Sequence, residues 1–152
     1  MEFYSSLADL YHTTKKHKLS DEHYEKALEI DPNNVLILNN YAYYLSVRKI
    51  NLEKAKEMSF RCNELEPDNG TYQDTYAWIL YELKEYELAK EWLLKALLNG
   101  SDKSAVVVEH YGDILYKLGE IDEAIHQWKK AKELGGASDF LNQKIEEGKL
   151  YD

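Results

Sequence analysis

Four pairs of small side chains recur along this chain at one spacing, and that recurrence limits the fold more than any other feature. Ser20 and Ala27, Ala55 and Cys62, Ala89 and Ala96, and Ala124 and Ala131 each stand seven residues apart. Seven residues are two helical turns, so each pair shares a helix face on which a neighbouring backbone can approach closely. A large side chain lies between the members in three copies (Tyr24, Leu93 and Trp128), and Ser59 fills that slot in the second copy. The later member moves from 27 to 62 to 96 to 131, in steps of 35, 34 and 35. Another small residue stands upstream of each pair: Ala8, Ala42, Ala77 and Gly112. Leu7, Tyr41, Tyr76 or Tyr111 precedes it, and Tyr11, Leu45, Leu80 or Leu115 follows three positions on. A mid-thirties period with two helices per unit predicts an all-α solenoid of helical hairpins.

The apolar spacing predicts helices over 2–16, 20–30, 34–47, 51–65, 70–83, 86–98, 104–118, 121–134 and 138–149. Ser20-Asp21, Asn51, Asp102 and Ser138-Asp139 are the expected caps. The last segment carries Phe140, Leu141 and Ile145 on one side and charge on the other, which suits a solvating helix at the end of an array. The first helix begins almost at Met1 with no cap and presents Phe3, Tyr4, Leu7 and Leu10. That start leads us to expect the C-terminal piece of a longer protein, able to self-associate through its uncapped helix.

These residues resemble the tetratricopeptide repeat (TPR) family, whose pattern is W-x2-L-G-x2-Y…A-x3-F…P. The closing proline is Pro32 in "EIDPNN" and Pro67 in "ELEPDN", whereas "LLNGSDKS" and "ELGGAS" end their helices with Gly. The front Trp slot holds Tyr4, Leu38, Gln73 and Val108 instead. The resemblance implies one right-handed helical-hairpin solenoid over 1–152, with four TPR-like repeats at about 1–34, 35–69, 70–104 and 105–137 and a C-terminal capping helix at about 138–149. "NNYAYYL", "DTYAWILYEL" and "EHYGDILYKLGEIDEA" are similar to the C-terminal repeats of bacterial TPR proteins, many of them exported to the cell envelope. That likeness implies a bacterial source and a periplasmic or envelope setting, with the cytoplasm as the alternative.

In such an array the first helix of each repeat lines a concave surface. Residues three or four apart share a helix face, so counting from the small slot gives the groove positions. They are Asn39, Asn40 and Tyr43 in the second repeat, Asp74, Thr75, Trp78 and Tyr81 in the third, and Glu109, His110, Asp113 and Tyr116 in the fourth. Ser5, Ser6, Asp9, His12 and Ser46 complete the set, which contains no Lys or Arg. Carboxylates, amides and flat rings suit an extended peptide, a basic one above all. Replacing Tyr43 and Trp78 together by Ala is therefore expected to abolish partner capture and leave folding intact. The TPR subtype that grips a C-terminal carboxylate keeps Lys, Asn and Arg at set slots, and only Asn40 matches here; Ser5, Asp9, Thr71 and Thr75 do not.

The function expected is a non-catalytic scaffold that docks a protein or peptide segment in its groove. The alternative is a structural spacer or self-assembly segment of a longer envelope protein. A net charge of -9 argues against nucleic acid, whose phosphates need a basic stripe. No apolar run approaches the ~18–20 residues of a membrane span. His12, His17, His23, His110 and His126 show no metal-binding spacing on one helix, so no metal or cofactor is expected. Cys62 sits in a packing slot and reads as inert core. "KKHK", Lys15 to Lys18, falls at a helix end, where the macrodipole favours cations. Neither a nucleophile elbow nor a phosphate loop appears.

Overall fold

In a computed structural model, the described residues 2–13, 15–135 and 138–150 form α-helices joined by short turns. Two compact units divide the chain, Met1–Pro67 and Asp68–Asp152. The first holds α1 (Glu2–Thr13), α2 (His17–Ile30), α3 (Val35–Arg48) and α4 (Leu52–Leu65). The second holds α5 (Gly70–Glu82), α6 (Tyr86–Ala96), α7 (Ala105–Lys117), α8 (Ile121–Glu133) and the short α9 (Leu141–Glu147). A single π-type turn at Leu97–Ser101 closes α6.

The small-residue pairs do what their spacing requires. Ala27, Ala55, Cys62, Ala89, Ala96, Ala124 and Ala131 are fully buried, and Ser20 nearly so, its hydroxyl donating to the Ala8 carbonyl at 2.8 Å. Close approach is most acute at Gly112, where an added Cβ would stand 2.4 Å from Trp128 Cδ1. In the second copy the slot holds Cys62, whose thiol points to the Val35 carbonyl at 3.4 Å. Burial, reinforced by the Glu66 charge, pushes this thiol up to about 12. Because the thiolate is the reactive form, Cys62 is expected to resist an aromatic disulfide reagent at pH 8 and to react only after denaturant is added. Prompt labelling of the native chain would refute that placement.

Turn chemistry departs from expectation at several points. Side-chain N-caps are Asn34, Asn69 and Ser104, which accept from the backbone N–H of Ile37, Tyr72 and Val107. Asn51 flanks α4 without a capping bond, and α2 begins three residues before Ser20. Ser138-Asp139 does not cap the last helix, which Phe140 precedes. In the two repeats that lack proline, Gly100 and Gly135 take φ of 98° and 125°, the left-handed conformation of helix C-termini. Each hairpin turn also carries a left-handed residue, and the turn between α3 and α4 carries a second one, Asn51 at φ of 48°. Gly119 supplies the common one in the fourth repeat, while Lys15, Lys49 and Lys84 supply it in the others, at φ of 61°, 56° and 64°. A Cβ makes that conformation unfavourable, so three of the four turns tolerate strain that glycine would avoid.

Candidate functional site: the faces of the first helices

In the first unit, α3 is buried on most of its surface: Ile37, Leu38, Asn39, Tyr41, Ala42, Leu45 and Ser46 all face inward. What it leaves outward is a stripe at positions 36, 40, 43 and 47, a spacing that keeps residues on one helix face. Leu36, Tyr43 and Val47 are 62%, 39% and 50% exposed, with the half-buried Asn40 between them. Of the groove residues expected in this repeat, Asn40 and Tyr43 lie on the stripe. Asn39 does not: it is buried, and its amide nitrogen reaches Asn40 Oδ1 at 3.5 Å. Leu36 and Val47 were not among the expected residues. They could have been found by following the stripe one turn beyond each end, to the slot six ahead of the small residue and the slot five after it.

Elsewhere in this unit, ring stacking ties the two hairpins together. His12 stacks on Tyr44 at 3.5 Å, Tyr24 on Tyr41 at 5.1 Å, and the Arg48 guanidinium meets Asp21 at 2.6 Å. Burial first, then the His17 and Arg48 charges, lowers the His12 pKa. The Tyr24 hydroxyl donates to Asp9, so Asp9 serves the interior of its own hairpin.

The second unit brings its expected residues together, largely with one another. On α5 and α7, Asp74 Oδ1 and His110 Nδ1 are 3.0 Å apart. Trp78 stacks on His110 at 4.0 Å with 17° between planes, and on Tyr81 at 4.4 Å with 10°. Two near-parallel rings at those separations cannot share one side of an indole, so both faces of Trp78 are taken. It is a sandwiched ring rather than an open platform, and the expectation that Trp78 can be lost without cost to packing does not hold. Tyr81 and Thr75 are buried, and Tyr116 is half-buried with its ring 5.9 Å from that of Trp128.

Glu109 and Asp113 are also buried, and a residue the sequence reading missed accounts for both. Lys144 of α9 places its ammonium 2.6 Å from Glu109 Oε2 and 2.9 Å from Asp113 Oδ1. Ser138 donates to Glu109 through its backbone N–H at 2.9 Å and its hydroxyl at 2.6 Å, while Trp128 Nε1 donates to Asp113 at 3.0 Å. Burial pushes both carboxyls up; at Glu109 the Lys144 and Ser138 bonds prevail and hold it below the usual range. At Asp113 burial prevails over the shared lysine, and its pKa is raised. One ammonium cannot fully compensate two buried carboxylates. The acidity expected of the groove is thus largely spent inside the fold, on Lys144, His110 and Trp128.

Among the described residues, no three His, Cys, Asp or Glu side chains are placed to hold a metal ion. No described helix is long and apolar enough to cross a membrane. Paired helices in a mid-thirties period, keyed by small residues, define a helical-repeat scaffold. Tetratricopeptide repeat signatures match residues 2–34, 23–57 and 72–98, more than half of the sequence. The chain belongs to the tetratricopeptide repeat family.

In sequence, it is 30% identical over 116 residues to the type IV pilus assembly protein PilF of Pseudomonas aeruginosa, a match that takes in 75% of this chain and 45% of PilF. The chain spans less than half the length of the relatives it matches in sequence. In fold, it superposes on the structure of Pseudomonas aeruginosa PilF with a TM-score of 0.77 at 24% identity, covering 95% of this chain and 69% of that one. It superposes on YrrB, described as a TPR protein with an unusual peptide-binding site, with a TM-score of 0.69 at 22% identity, covering 87% and 67%. TPR proteins serve generally as non-catalytic scaffolds for protein interaction.

Proposed function

We propose that this chain docks a segment of a partner protein on the outward stripe of α3 in its first unit. The observation that carries the reading is the stripe itself. Leu36, Tyr43 and Val47 line up on a helix whose other sides are packed, and Asn40 at their centre offers an amide to a partner backbone. Apolar side chains flanking a polar hydrogen-bonding group suit a short partner segment, with burial supplying affinity and the amide fixing register. Val106 repeats the Leu36 slot on α7 and is 47% exposed. The partner chemistry favoured is apolar and amide-rich more than basic, because Asp74, Glu109 and Asp113 already hold internal partners.

Site-specific photocrosslinking tests the reading. A benzophenone side chain at Leu36 or Val47 is expected to capture a discrete partner from extracts of the source cell. The same group at Glu57, exposed on α4, should not. Equal capture from both faces, or none from α3, would remove the support and favour the structural-spacer alternative.

A further inference from the structure

One side chain of α7 makes two different contacts with α5, and it is the residue type that titrates near neutrality. The His110 Nδ1 atom lies 3.0 Å from Asp74 Oδ1, and the ring lies flat against Trp78 one turn along the same helix. Both members of the ion pair are largely shielded, with side-chain exposures of 14% and 15%. We propose that His110 is a pH-operated clasp between α5 and α7. Protonated, it binds Asp74 as an ion pair and Trp78 as a cation on a ring, and so fixes the spacing of these two first-helix faces. Neutral, it retains only a weaker hydrogen bond and ring contact, and the spacing relaxes. The device acts whatever segment docks on those faces.

The charges that face His110 come from three helices. Asp74 belongs to α5, Glu109 and Asp113 belong to α7 itself, and the nearby cation is Lys144 of α9. That ammonium lies 2.6 Å from Glu109 and 2.9 Å from Asp113, so it is committed to those carboxylates and leaves Asp74 to the imidazole. Burial disfavours the imidazolium; the Asp74, Asp113 and Glu109 carboxylates outweigh it and raise the pKa above the usual 6.5. A base whose folded pKa is raised contributes fully below its unfolded value, and the contribution is lost as pH rises through the folded value. The clasp is therefore closed in mild acid and opens on the alkaline side of its own titration. A cation against an indole face adds to the closed state.

The test is a proton–carbon NMR titration of the five histidines, with His110→Gln identifying the His110 signal by its absence. The expected His110 midpoint lies above 6.5, and the Trp78 indole N–H should shift with the same midpoint. Asp74→Asn should lower the midpoint by about one unit or more, and His110→Gln should abolish the Trp78 response. A His110 midpoint at or below 6.5 would overturn the proposal, as would a Trp78 signal that stays still while His110 titrates. Both readings are made on the unmodified chain, where the His110 signal is also identified by its nuclear Overhauser contact with the stacked Trp78 ring. A variant that folds poorly therefore does not decide the matter.

Discussion

Replacing Lys144 by Met is expected to cost about 3–5 kcal/mol of unfolding free energy at neutral pH. The ammonium is 6% exposed and serves two carboxylates that are 5% and 6% exposed. Removing it leaves Glu109 and Asp113 side by side in the interior with no cation of their own. The deficit should shrink as the pH is lowered, because each carboxyl that protonates removes one of the two uncompensated charges. Adding Glu109→Gln and Asp113→Asn to Lys144→Met should recover part of the loss, since neutral amides cost less to bury than unpaired carboxylates. Urea unfolding of the unmodified chain and these two variants at pH 7 and pH 5 measures all of this. A loss below about 1 kcal/mol for Lys144→Met would instead match an exposed pair worth little and contradict the buried network.

Gly112→Ala is the second substitution with a large expected effect. Alanine normally stabilises a helix interior over glycine by about 1 kcal/mol. Here the new Cβ would meet Trp128 Cδ1 at 2.4 Å and Nε1 at 2.5 Å, and the indole is fully buried with nowhere to retreat. Overpacking of this kind costs about 1–3 kcal/mol, so the expected sign is opposite to the propensity. The third repeat already shows the remedy, because Ala77 there accompanies Leu93, both fully buried. Trp128→Leu in the Gly112→Ala background should therefore cost less than Trp128→Leu alone. The expected coupling between the two sites is about 0.5–3 kcal/mol. Strictly additive changes across the cycle would show that the two residues do not meet.

That pairing of small and large slots was legible in the sequence, because helix periodicity and close approach depend on residues a fixed distance apart in one hairpin. Ala27, Cys62, Ala96 and Ala131 stand where the spacing put them. The groove was legible only in part. The slots three before the small residue, holding Asn39 and Glu109, face neighbouring helices and are buried, so counting from the small slot overstates what reaches solvent. Lys144 could not be anticipated from any motif. It meets Glu109 across 35 residues, and the last segment shows only an amphipathic pattern with two lysines in it. Trp78 was misread for a related reason: a sequence gives an aromatic's position but not whether Tyr81 and His110 have already covered its two faces. Cap positions shifted because Asn and Ser compete as caps within a few residues of one another, and packing decides among them.

The hydrogen bonds from Tyr24 to Asp9 and from Trp128 to Asp113 join equivalent positions in the first and fourth hairpins, fifteen residues apart in each case. The middle hairpins have no such lock; Tyr43 and Trp78 stand where the aspartates would, opposite Ser59 and Leu93. Helical repeats of similar sequence can dock out of order while folding, because any second helix offers much the same apolar stripe to any first helix. An aspartate laid against Leu93 would lose its aromatic donor and gain nothing in exchange, while one laid against Ser59 would have only the short serine hydroxyl as a donor. The two outer hairpins therefore pair best with a second helix that brings a ring donor, while the two inner ones spend the same positions on an outward tyrosine and a sandwiched tryptophan.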